Sequence, residues 1–172
     1  MTATYSELPN KLISAPTGIA YAYRDCGEGA VPLVLLQHFR GNLDNWDPAL
    51  IDALASNRRV ITFDNAGVGG STGTTPDTVE HMARDTIEFA TALELGQVDV
   101  LGFSIGSFVA QQIALTRPAL VRRLILASSA HRERRGCTAG RPRSSTPSAR
   151  LRPPRGIPRG VLRPVGRQST GR

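Results

Sequence analysis

The stretch of this sequence with the most direct chemistry is Gly102-Phe103-Ser104-Ile105-Gly106. It lies where an apolar run, Val98 to Phe103, gives way to a helical pattern that begins at Ile105. A G-x-S-x-G at a strand-to-helix turn holds its serine in strained backbone geometry, with Oγ lifted clear of the sheet, as a nucleophile elbow requires. A side chain in place of Gly102 or Gly106 is expected to strike the neighbouring strand or helix. The bland alternative is an ordinary βα turn with small residues at the helix start. A serine hydroxyl is a weak nucleophile on its own. It needs a base within hydrogen-bond reach, a third group to orient that base, and donors aimed at the developing oxyanion.

The elements that must position such a serine are legible from period and punctuation. Thr17 to Asp25 alternates as a strand and ends at the turn Cys26-Gly27-Glu28-Gly29. Val31 to Gln37 is short and almost wholly apolar, as a strand buried on both faces of a parallel sheet should be. Asp47-Pro48 opens a helix through Leu50, Ile51 and Leu54, with Pro48 at the first helical position. Arg59 to Asp64 reads as the next strand. Asp77 to Leu95 is the clearest helix, with Asp77 as N-cap and Glu80 completing a capping-box arrangement. Its apolar face is Val79, Met82, Ala83, Ile87, Ala90 and Leu93, its polar face Glu80, His81, Arg84, Asp85 and Glu88, and Gly96 ends it. Val98 to Phe103 is a strand, Ile105 to Thr116 a helix stopped ahead of Pro118, and Val121 to Ala127 a strand. Strands alternating with helices at these spacings mean βαβ units, a mostly parallel sheet and flanking helices.

Two further segments stand before the serine motif: V-L-L-Q-H-F-R-G-N-L-D-N-W at Val34 to Trp46, and D-N-A-G-V-G-G-S at Asp64 to Ser71. In this order the three motifs resemble the α/β-hydrolase family, the branch of esterases, lactonases, C–C hydrolases and cofactor-free haloperoxidases, over Thr17 to about Ala130. The resemblance implies the N-terminal part of an α/β-hydrolase sheet with an antiparallel edge pair, and Ser104 as nucleophile. It implies an oxyanion hole from the backbone N–H groups of Ile105 and Phe39, a small acyl substrate, and no metal or organic cofactor. Relatives carry His-Gly where this chain has Gln37-His38, so His38 stands where glycine torsions are usual. His38 is then either a pocket-lining group or a loop histidine bonded to backbone, and less readily a catalytic base. Trp46 is a possible pocket residue, more simply a core one, and the Asp64 to Ser71 turn, with Ala66 in place of the family's arginine, reads as structural.

The family places its acid and its histidine later in the chain, in the order Ser, Asp or Glu, His. After Ala127 only Glu133 and His131 remain, two residues apart, which cannot reproduce two loops from separate strands. No complete triad can be assembled in family order, and little or no turnover is expected.

Charge divides the chain at the same point. Residues 1–130 hold 9 basic and 13 acidic side chains, a net charge of −4, while 131–172 hold 12 arginines and one acid, a net charge of +11. The later segment has no aromatic residue, no period and six of the twelve prolines, so it is expected to be disordered. It has the composition of a GC-rich coding sequence read out of frame, and a one-base shift allows His131 to Ala149 to encode acidic, aromatic and aliphatic residues again. The competing class is a binding protein whose basic tail associates nonspecifically with polyanions. Without interleaved aromatics it would show no specific nucleic-acid recognition. Cys26 and Cys137 give no disulfide framework or metal spacing, and no signal peptide or membrane span is evident, so a cytoplasmic location is expected. A sheet that stops at Val121 to Ala127 should expose apolar faces and tend to associate.

Overall fold

The computed structural model describes residues 3–129. The described residues all belong to one compact unit. The expectations for 131–172, together with His131, Glu133 and Cys137, lie outside them.

The strands are β1 (Lys11–Ser14), β2 (Ala20–Cys26), β3 (Leu33–Leu36), β4 (Val60–Phe63), β5 (Val98–Phe103) and β6 (Val121–Ala127). The helices are α1 (Pro48–Ala55), α2 (Val79–Ala92) and α3 (Ile105–Thr116), with short 3₁₀ turns at Tyr5–Glu7 and Leu43–Asn45. One six-stranded sheet runs in the order β1-β2-β4-β3-β5-β6. β1, β2 and β4 are joined antiparallel, and β4, β3, β5 and β6 run parallel. The antiparallel edge pair is therefore present, with β1 as the partner that no clear alternation marked in the sequence.

β3 and β4 are buried at every position, and their alternating residues feed two cores. Val34, Leu36, Ile61, Phe63 and Val100 pack with Met82, Ile87 and Phe89 of α2 and Val109 and Ile113 of α3. Leu33, Leu35 and Val60 pack on the opposite face with Ile51 of α1, Trp46 and Tyr5. Phe89 stacks on Phe63 at 4.3 Å between ring centroids and meets Tyr21 edge-on at 5.6 Å. The N-terminal segment is tied down by Tyr5. Its hydroxyl donates to the Leu43 carbonyl at 2.5 Å, and its backbone N–H donates to Asp52 Oδ1 at 2.8 Å.

α2 departs from its expected ends. Thr78, not Asp77, is the N-cap, its hydroxyl accepting from the His81 N–H at 3.2 Å. Asp77 instead lies 3.6 Å from His81 Nδ1. The other end closes before Gly96: the N–H groups of Glu94 and Leu95 reach back to the carbonyls of Thr91 and Ala90, and Glu94 takes φ 53°. This pair of reversed bonds satisfies the last helical carbonyls, so the stop does not depend on glycine.

β6 forms one edge of the described sheet. Leu124, Ile125 and Leu126 on it are 38, 45 and 41% exposed, the apolar exposure expected of a sheet that stops there. No helix among the described residues is long and apolar enough to cross a membrane.

Candidate active site

Ser104 is the single residue between β5 and α3, with φ 55° and ψ −121°. Backbone in that region is unfavourable for a side chain and persists only where surrounding structure enforces it. Here the enforcement is visible. The Ser104 N–H donates to the Ala127 carbonyl at 3.0 Å. Its own carbonyl accepts from the Ser107 N–H at 2.9 Å and from Ser107 Oγ at 2.6 Å. A serine preceding a helix ordinarily caps it through Oγ, yet the Ser104 hydroxyl makes no capping bond. The hydroxyl is thus not spent on capping, although it stands at the positive pole of α3.

Both flanking glycines are close-approach positions, as expected. A Cβ at Gly102 would overlap the Gly106 carbonyl oxygen and lie 2.6 Å from Ser107 Cα. A Cβ at Gly106 would overlap the Leu36 carbonyl oxygen and lie 2.8 Å from that of Gln37. The first turn of α3 is thus pressed onto the end of β3, which brings the loop after β3 to the serine.

In that loop Gln37 is 4% exposed, and its Oε1 accepts from the His38 N–H at 2.9 Å. His38 is half-buried, edge-on to Phe103 with centroids 6.0 Å apart, and its Nδ1 is 2.9 Å from the Phe39 carbonyl oxygen. The reading of His38 as a loop histidine bonded to backbone describes this contact. The left-handed torsion expected to trouble position 38 falls on Arg40 instead, at φ 60°. The Phe39 side chain is 59% exposed. Trp46 is 7% exposed and packs near Phe103, centroids 6.5 Å apart, as a core residue at the base of the loop.

Asp64 had no assigned role in the sequence beyond ending a strand. It is 2% exposed and accepts from the Leu43 N–H at 2.7 Å and the Gly70 N–H at 2.8 Å, joining the two loops that flank the sheet edge. Burial pushes its carboxyl pKa above the usual range, against the pull of those two N–H groups. The signal was the D-x-x-G-x-G spacing itself, since a carboxylate ahead of a glycine-rich turn is well placed to bond its amides. The described histidines are His38 and His81, and neither bonds to Ser104; His81 sits on the exposed face of α2. Among the described residues no group of three or more His, Cys, Asp or Glu could hold a metal ion.

A mostly parallel sheet whose fifth strand ends on a strained Ser between close-packed glycines defines a class of fold. The family model for the α/β-hydrolase fold matches residues 31–148, and this chain belongs to that family. An α/β-hydrolase fold protein from Chitinophaga pinensis is 45% identical with a TM-score of 0.70, over 72% of this chain and 45% of that one. RutD of Rhizobium rhizogenes, by name a carbamate hydrolase, is 37% identical over 56% of this chain and 37% of its own length. The pimeloyl-[acyl-carrier protein] methyl ester esterase of Yersinia enterocolitica is 38% identical over 60% of this chain and 38% of its own. The chain thus spans less than half the length of each.

Proposed function

We propose that this chain carries the nucleophile-bearing part of a serine hydrolase site for small esters, lactones or related acyl compounds. Ser104 is the nucleophile, and the N–H groups of Ile105 and Phe39 are the oxyanion donors. The observation that carries the reading is the Ser104 backbone, φ 55° and ψ −121°, between two glycines that admit no Cβ. A structural turn gains nothing from a strained serine that does not cap its helix; an attacking hydroxyl does. The Ile105 N–H opens α3 and has no carbonyl of that helix to meet, so it is free to polarise an acyl oxygen. The Phe39 N–H follows the Gln37–His38 segment that the Gly106 contact presses against α3. Hydrolysis of a carbamate and of a methyl ester is what the names of these two relatives state for those proteins.

Neither described histidine, His38 or His81, hydrogen-bonds Ser104. Without a base the hydroxyl stays protonated at neutral pH, and losing a triad member costs on the order of four decades in rate. Hydrolysis of short p-nitrophenyl esters by the purified chain is therefore expected to match that of Ser104→Ala. Ser104-dependent turnover at ordinary enzyme rates, roughly 1 to 1000 per second, would overturn the incomplete site and direct attention to His38 or His131.

A further inference from the structure

The loop between β3 and α1 is gripped at its middle by side chains that come from far along the chain. Leu43 is fully buried, and both of its main-chain polar groups are held. Its N–H donates to Asp64 Oδ1 at 2.7 Å, and its carbonyl accepts from the Tyr5 hydroxyl at 2.5 Å. A phenol has one proton and a carbonyl can only accept, so the Tyr5 proton is committed to Leu43. The 2.9 Å contact between the Tyr5 and Thr62 hydroxyls therefore has Thr62 as its donor. The neighbouring Asp44 pairs with Arg24 at 2.8 Å, and the Arg24 guanidinium lies 4.9 Å from the centre of the Tyr5 ring. The Tyr5 N–H donates to Asp52 of α1. Tyr5 thus binds the loop's main chain by its hydroxyl while its ring and N–H are fixed by β2 and α1.

From Leu43 the constraint runs back to Phe39 through a short segment that is itself closed. Asn42 caps the 3₁₀ turn Leu43–Asn45, its Oδ1 accepting from the Asp44 N–H and its N–H donating to Asn45 Oδ1. The Gly41 N–H donates to the His38 carbonyl at 3.0 Å, which folds a tight turn around Phe39 and Arg40. Gly41 sits so close to the start of that turn that a Cβ there would overlap Gln37 Cγ and lie 3.0 Å from the His38 ring. Packing alone would be served by the Tyr5 ring; the hydroxyl acts on loop backbone. We propose that Tyr5 is a positioning residue, whose hold on the Leu43 carbonyl sets where the Phe39 N–H stands relative to Ser104. The N-terminal segment is then a part of the site, not only a lead-in to the sheet. This rests on the reading of the Phe39 N–H as an oxyanion donor.

Tyr5→Phe keeps the ring beside Arg24 and removes only the hydroxyl. Thr62→Val is the control: it takes a hydrogen bond from that same hydroxyl but leaves the Leu43 carbonyl held. Two quantities would be read in the full chain, the rate of Ser104 acylation by p-nitrophenyl butyrate at fixed imidazole and the ¹⁵N amide signal of Phe39. Tyr5→Phe should lower the maximal acylation rate about tenfold and leave the half-saturating ester concentration unchanged, since a displaced oxyanion donor costs less than the roughly 10²–10³ of a missing one. It should also move the Phe39 signal. Thr62→Val should lower the urea midpoint by a similar amount and change neither quantity. A folded Tyr5→Phe with an unmoved Phe39 signal or an unaltered acylation rate overturns the proposal. Equal changes in Thr62→Val overturn it too, by making the effect one of stability, as does a Tyr5→Phe chain that does not fold. If the unsubstituted chain is not acylated at Ser104, the serine reading fails, and the Phe39 signal alone then decides for or against Tyr5.

Discussion

At its N-terminal end β5 carries Asp99, 2% exposed, whose carboxylate accepts from Arg58 Nη2 at 2.6 Å and from Arg122 Nε and Nη2 at 2.8 Å each. At its other end the same strand runs into Ser104, with a left-handed backbone and a hydroxyl that caps nothing. The first end joins three segments: β5, β6 through Arg122, and the approach to β4 through Arg58. The second end is strained, and the helix it opens is pressed against β3 without room for a Cβ. A strained turn lasts only where the strands around it cannot slide. In this sheet the Asp99 carboxylate ties β5 to β6 and to the approach to β4, beside the bulge between Val98 and Asp99. Ion pairing and backbone strain are thus separated along one strand, and substitutions at the two ends should differ in kind.

The largest effect is expected where α3, just beyond the Ser104 turn, presses on the end of β3. Gly106→Ala puts a methyl group onto the Leu36 carbonyl, and backbone cannot yield as a flexible side chain would. A loss of about 3 kcal/mol or more is expected, the upper range for overpacking, read as a fall in the urea midpoint or as insoluble protein. An unchanged midpoint would mean that α3 does not press on β3 as described.

Asp99→Asn should cost less, about 1–3 kcal/mol, because the two guanidinium groups it strands are partly open to solvent. Its pH signature is more telling than its size. The two arginines hold the Asp99 pKa down, to about 2. A depressed carboxylate pKa gives stability that is fully present above the unfolded value, ~4, and is lost as pH falls through the folded value. The melting-temperature gap between the unsubstituted chain and Asp99→Asn should therefore hold steady from neutral pH to about 4 and close towards about 2. Asp64 carries the opposite sign, since burial raises its pKa and its ionisation opposes folding as pH rises. A gap that widened in acid would refute the assignment to Asp99.

At the Ser104 end a substitution should stabilise. Ser104→Gly removes the Cβ from a backbone conformation that glycine tolerates, so a gain of roughly 1 kcal/mol is expected, together with loss of any Ser104-dependent chemistry. A lower melting temperature would show that the hydroxyl supports the fold rather than a reaction. The smallest thermodynamic effect belongs to the sheet edge. Replacing Ile125, 45% exposed, by lysine should leave the melting temperature nearly unchanged and shift sedimentation towards monomer at high protein concentration. Identical sedimentation would mean that this edge is not the route of association.

The Ser104 turn was legible in the sequence where its supports were not. G-x-S-x-G between an apolar run and a helical period located Ser104, and the need for both glycines followed from local sterics. The parallel core strands were legible because β3 and β4 are apolar at nearly every position. The supports are long-range, and periodicity carries no record of them. Asp99 meets Arg58 across 41 positions and Tyr5 meets Thr62 across 57. β1, with one half-buried residue in four, offered no alternation to read. Thr78 and Asp77 are both good caps, and only the backbone conformation at Thr78 chooses between them. Gln37 looked like a departure from a motif. That its carbonyl would be spent on the next amide, leaving the NH₂ free, depends on loop geometry.

The most direct test of a presented nucleophile without its base is to lend the chain a base. Intact-mass and peptide analysis after p-nitrophenyl butyrate would be compared with and without imidazole in the buffer, using Ser104→Ala as reference. Acylation of Ser104 is expected only with imidazole, and the adduct should persist once the imidazole is removed, because neither described histidine bonds Ser104. Rapid acylation and turnover without imidazole would contradict the missing base. No adduct at Ser104 under either condition would contradict its role as nucleophile.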